Sequence, residues 1–200
     1  AIGANSNSGS IICATISTGT VCKRPTSQCV SIIVSGSNRC CFGRTISQEG
    51  RKGVNLLTTP FEKDLTDTPL AEYPRPNLQR DSYLCLNGKW EIKIESANEQ
   101  LYKGEILVPF PVESKLSGIG KTFPLDSLYT YTRSFTLPDG FKKDRVLLNF
   151  GAVDCETQVY INGSFVGGNT GGYIPFSFDI TDYLNNGDNI IRVEVTDFMD

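Results

Sequence analysis

Histidine is missing from all 200 residues. That absence removes Ser-His-Asp and Cys-His catalysis, imidazole-ligated metals and imidazole acid–base chemistry together. Any catalytic reading is left with carboxylates, lysine, tyrosine or cysteine. Also missing is an apolar run near the roughly 18 residues that a bilayer crossing needs, so no membrane span is expected. No CxxC pair occurs among the cysteines. Without histidine their spacing fits no common zinc site, and neither a metal nor another cofactor is expected. Residues 1 to 48 contain no acid, only Lys23, Arg24, Arg39 and Arg44, for a charge of +4. The rest carries 15 basic and 22 acidic residues, for −7. Four scattered positive charges are a thin phosphate-binding footprint, so nucleic acid is not an expected partner. The opening "AIGANSNSG" has neither an initiator methionine nor a signal peptide, which suggests a processed product or a fragment.

What is present divides the chain in two. A 39% hydrophobic fraction is enough for one real core. Residues 1–53 are rich in Ser, Thr, Gly, Asn and Cys and include "SIICATIS" (10–17) and "CVSIIVS" (29–35), β-branched runs with strand character. This arm is too small to bury a core of its own and needs either disulfides or a sheet to dock against. Five of the seven cysteines, Cys13, Cys22, Cys29, Cys40 and Cys41, fall within it. They are the disulfide candidates of an extracellular, secreted protein. The odd total leaves at least one thiol free or paired between chains.

Residues 54–200 read as a second unit. A proline-punctuated stretch up to Tyr83 should run extended over a surface. Short alternating strands follow. Trp90, Ile92 and Ile94 share one face; so do Tyr129, Tyr131, Arg133, Phe135 and Leu137; so do Phe176, Phe178 and Ile180; so do Ile191, Val193 and Val195. "RVLLNF" is more continuously apolar, "ETQVYI" alternates, and Asn162-Gly163 signals a type I′ hairpin. "TDYL" suits a single helical turn. With no long 3.6-residue period to interrupt it, the unit is expected to be an all-β sandwich.

Its glycine motifs bind no phosphate. "GGNTGG" lacks the strand and helix that flank a dinucleotide fingerprint, and "SGIGKT" has Lys115 where a P-loop needs its first glycine. Asp154 and Glu156, two apart on a strand, would lie roughly 7 Å apart on one face. A glycosidase pair must instead flank the sugar, with one pKa raised by burial. Two acids on a flat solvent face do neither, so no catalytic residue is expected. Asn162-Gly163-Ser164 is the one N-x-S/T sequon, and Asn162 the candidate glycosylation site.

Several blocks together carry more than any single motif: "LTTPFEKDLTDTPLAEYPRPNLQRDSYLCLNGKWEIKI", "GEILVPFPVESKLSGIG", "YTRSFTLP", "RVLLNFGAVDCETQVYINGSFVG" and "GGYIPFSFDITDYLNNGDNIIRVEVTD". From about Val54 to Phe198 the chain resembles the N-terminal sugar-binding domain of glycoside hydrolase family 2, the family of β-galactosidases, β-glucuronidases and β-mannosidases. The resemblance implies a jelly-roll sandwich of the galactose-binding-domain type. It also implies a non-catalytic role, with both catalytic glutamates in a later barrel and this domain lending a loop to the sugar pocket. Cys155 stands where the family usually has Trp, Asn169-Thr170 where it often has His-Arg, and Ile174 where Asp is common. Asn169, Tyr173 and Asp197 are left as the candidate carbohydrate contacts. The expected function is therefore a weakly carbohydrate-binding domain, free-standing or joined to the remaining hydrolase domains. The alternative is a structural subunit of an extracellular assembly or filament, in which residues 10–17 are donated as a strand to a neighbouring sandwich.

Overall fold

The computed structural model describes residues 9–14, 60–73, 82–97, 99–124 and 126–197. Among the described residues ten strands occur in this order: β1 (Gly9–Ala14), β2 (Tyr83–Cys85), β3 (Gly88–Ser96), β4 (Glu99–Val108), β5 (Leu128–Thr136), β6 (Arg145–Phe150), β7 (Glu156–Ile161), β8 (Ser164–Thr170), β9 (Phe176–Asp179) and β10 (Asp188–Thr196). They form a four-stranded sheet, β2-β1-β6-β9, and a six-stranded sheet, β4-β3-β5-β10-β7-β8. All pairings in the larger sheet are antiparallel. The expected all-β sandwich is the fold.

The alternation read from the sequence is what builds it. Trp90, Ile92 and Ile94 of β3, Tyr129 and Tyr131 of β5, Val159 and Ile161 of β7, and Ile191, Val193 and Val195 of β10 are all buried. They meet Val146, Leu148 and Phe150 of β6 in one hydrophobic cluster shared by the two sheets. At roughly 25 cal/mol per Å2 of apolar surface removed from water, this cluster is the main source of stability. The buried Trp90 and the half-buried Arg133 bring polar groups to backbone partners. Trp90 Nε1 donates to the Leu86 carbonyl at 2.7 Å, and Arg133 Nη1 donates to the carbonyls of Leu86 and Asn87 at 2.7 and 2.8 Å. The described part of the segment before β2 is not extended throughout, since Pro60–Asp64 is a 3-10 helix and Leu70 turns with a φ of 53°. Asn87 Nδ2 ties it down by donating to the Pro69 carbonyl at 3.0 Å.

The β7–β8 hairpin turns at Asn162 and Gly163, whose φ angles of 51° and 85° are those of the expected type I′ turn. Asn162 Nδ2 donates to the Tyr183 carbonyl and to Asn189 Oδ1, while its Oδ1 accepts from the Ile190 amide. The sequon asparagine is thus a clamp between the hairpin and β10. The "TDYL" turn is a 3-10 turn over Thr181–Tyr183.

The strand-forming run of the arm is a strand, over Gly9–Ala14. It lies in this chain's own smaller sheet, parallel to β6 along six register pairs and to β2 along three. The sheet that the arm needed to dock against is therefore the one formed by its own body. Cys22, Cys29, Cys40, Cys41 and the run 29–35 lie outside the described residues. Among the described residues no helix is long and apolar enough to cross a membrane.

Candidate functional site

One end of the six-stranded sheet gathers the unusual chemistry. Leu128, Thr196, Glu156 and Thr170 sit in register there, on β5, β10, β7 and β8. Immediately beyond this row come Asp197 after β10, Asp154 and Cys155 before β7, and the loop 171–175 after β8. Backbone hydrogen bonds stitch the segments together. Cys155 N–H donates to the Thr196 carbonyl at 3.3 Å, and Gly171 N–H donates to the Cys155 carbonyl at 2.8 Å.

Asp154, Cys155 and Asp197 present ligand atoms within 4.8 Å of one another. Asp154 is 8% exposed, and its pKa rises from 3.8 to about 6, first because burial penalises the charge and then because Asp197 is near. The Cys155 thiol is pushed up by burial and by Asp154. Two carboxylates and a thiol at this range are geometrically able to hold a cation. Two acids this close are equally satisfied by one shared proton, and a raised carboxyl pKa is what that sharing produces.

The acidic end extends toward the loop after β4. Burial raises the pKa of Glu113, and its Oε2 has no hydrogen-bond partner among the described residues. Burial, with Glu113 and Asp197 nearby, pushes the Tyr129 hydroxyl up, and burial likewise raises that of the wholly buried Tyr131. Glu113, Tyr129 and Asp154 at this end thus hold their protons to higher pH than usual.

The three expected sugar contacts occupy this same end in different ways. Asp197 is half-buried beside Asp154. Asn169, on β8, is also half-buried, and its Nδ2 donates to the Gly171 carbonyl at 3.2 Å, so the amide shapes the loop. Tyr173 is 56% exposed and Ile174 72% exposed, making the loop tip an apolar and aromatic surface. Gly172 lets that loop close over the acids: a Cβ there would lie 2.3 Å from Asp154 Oδ1. Gly167 allows β8 to lie against Phe178, whose ring would be 2.4 Å from an added Cβ.

The picture of Asp154 and Glu156 as two acids on one flat strand face is corrected. Asp154 precedes the strand and is buried, whereas Glu156 begins it and is exposed. The acid beside Asp154 is Asp197, 43 positions away in sequence, and the meeting of β7 with β10 brings them together. Spacing alone carries no signal for that pair. Glu113 was likewise invisible, since a carboxyl between Val112 and Ser114 in a turn reads as solvated.

Comparison with known proteins places this architecture. The model described as "Glycosyl hydrolases family 2, sugar binding domain" matches residues 75–200. The chain belongs to this family. It is 42% identical over 67 residues to a β-galactosidase of Thermoanaerobacter pseudethanolicus, covering 32% of this chain and 9% of that protein. To a β-galactosidase of Streptococcus thermophilus it is 30% identical over 141 residues, covering 55% of this chain and 14% of the other. A solved β-D-glucuronidase of Dictyoglomus thermophilum is 28% identical, with a TM-score of 0.45 over 57% of this chain and 19% of that one. The chain therefore spans a small part of each of these relatives. As a family 2 sugar-binding domain, it carries its acidic end and its Tyr173 loop at one edge of the larger sheet.

Proposed function

We propose that the chain serves as a non-catalytic carbohydrate-contacting domain of a family 2 hydrolase, and that the end of the sheet formed by loop 171–175, Asn169 and Asp197 is its sugar-facing edge. The observation that carries this reading is the family match over residues 75–200. The site chemistry supports it. An exposed tyrosine ring offers a face to the apolar side of a sugar, and adjacent carboxyls can accept its hydroxyls. The matched family model describes a sugar-binding domain rather than a catalytic one. Bond cleavage would then belong to another domain, with this one shaping the pocket. The relatives suggest a β-galactoside or a β-glucuronide as the class of ligand, and the family resemblance adds a β-mannoside.

The unit boundaries proposed are an arm over residues 1–53 and a sugar-binding-type domain over 54–200, with the arm's cysteines supporting an exported protein that carries disulfides. The test is a titration of the isotope-labelled full chain with the three glycosides at millimolar concentration. A saturable shift confined to residues 165–175 and Asp197 is expected. Absence of any saturable shift with all three removes the sugar-facing assignment.

The slot that β1 fills between β2 and β6 favours a second reading, in which the same segment of a neighbouring copy takes that slot and builds an assembly. Light scattering of the full chain and of a version lacking residues 1–53 separates the two. A full chain that stays monomeric at high concentration removes the assembly reading.

A further inference from the structure

We infer that Cys13 and Cys85 form a disulfide that locks the N-terminal strand into the smaller sheet, and that this bond makes docking of the arm redox-dependent. The two cysteines are direct register partners in the parallel pairing of β1 with β2. Neighbouring strands run about 4.8 Å apart, inside the roughly 4.4–6.8 Å between Cα atoms that a disulfide spans.

Composition makes the coincidence more pointed. Only two cysteines, Cys85 and Cys155, lie beyond residue 53. Cys155 is held at the acidic end of the other sheet, bonded through its backbone to Thr196 and Gly171. Cys85 is the one in register with the arm. It is half-buried, and its Sγ sits 3.9 Å from the Leu70 carbonyl, a weak contact that leaves the sulfur available.

The strand also has a reason to be tied. β2 is only three residues long, and β1 holds it through three register pairs. A cross-link closing a loop of about 70 residues removes much of the chain entropy that opposes this docking. The reaction uses a small disulfide oxidant such as glutathione disulfide. The thiolate of one cysteine attacks it, giving a mixed disulfide and releasing one small thiol. The second cysteine's thiolate then displaces the other small thiol. Two electrons and two protons pass from the protein thiols to the oxidant, and one S–S bond forms as one breaks. Reduction reverses the sequence and frees β1 to leave the edge of β6.

The test uses the full chain, first reduced, then equilibrated in glutathione buffers of graded potential, alkylated, and digested without reductant for mass spectrometry. A peptide joining Cys13 to Cys85 is expected, with both sites losing alkylation at the same potential. Backbone hydrogen exchange in β6 should slow at least tenfold on oxidation, and Cys85→Ser should abolish that slowing. Should Cys85→Ser fold poorly, Cys13→Ser leaves the body untouched and must show the same loss. Cys85 remaining fully alkylated in oxidising buffer, or Cys13 joined to another cysteine of the arm, overturns the inference.

Discussion

Replacing Asp154 by asparagine isolates the electrostatics of the acidic end. The carboxyl titrates at about 6 in the folded chain against an ordinary 3.8. The folded state therefore binds more protons than the unfolded state between these values, and stability must fall as pH rises through that window. At about 1.4 kcal/mol per pH unit the whole window amounts to about 3 kcal/mol, and water reaching the loop reduces this to about 1–3 kcal/mol. Asparagine keeps the shape of the protonated acid and has nothing to ionise. Its stability relative to the native chain should thus be lowest near pH 4 and improve by about 1–3 kcal/mol by pH 7. Urea unfolding of both proteins at the two pH values measures the difference directly. Carbon-detected titration of the Asp154 carboxyl gives its pKa independently. An offset between the two proteins that does not change with pH would show that Asp154 is not held protonated by burial and Asp197.

Other consequences follow from the same geometry. Gly172→Ala drives a methyl into Asp154 Oδ1; a loss of about 1–3 kcal/mol is expected, with the Asp154 pKa falling as its carboxyl is pushed toward water. Both are read by denaturation and by titration, and neither should stay at the native value. Trp90→Ala empties the largest side chain of the core and removes the hydrogen bond to Leu86, costing about 3–5 kcal/mol in the urea midpoint. Asn162→Ala removes three hydrogen bonds and places alanine at a φ of 51°. A loss of about 2–3 kcal/mol is expected, and one below about 0.5 kcal/mol would show that the clamp does not hold the hairpin to β10.

The fold was legible because β-sandwiches write their faces into the sequence with a period of two. Trp90, Ile92 and Ile94, or Ile191, Val193 and Val195, fall on one face by spacing alone, and their burial follows. Asn162-Gly163 specified its turn chemically, since both positions need positive φ. The end-of-sheet chemistry was far less visible. Asp154 and Asp197 approach because β7 and β10 are neighbours, a contact between positions that no local pattern connects. Burial then changes what Asp154 is, from a carboxylate that ionises near 3.8 to an acid that keeps its proton up to about 6. Asn169 shows the converse: its residue type suggested a ligand contact, whereas its amide is bonded to the loop it was expected to serve. Tyr173, outermost of the three, keeps an exposed ring.

Tyr173 accordingly bears most directly on the sugar-facing edge. The decisive measurement compares the affinity of the native chain and Tyr173→Ala for the tightest-binding of the three glycosides, with folding checked by urea unfolding. Because the ring is largely exposed, stability should change by less than about 0.5 kcal/mol, while affinity should fall at least fivefold. Equal affinities in two equally folded proteins would contradict the assignment of this edge to carbohydrate.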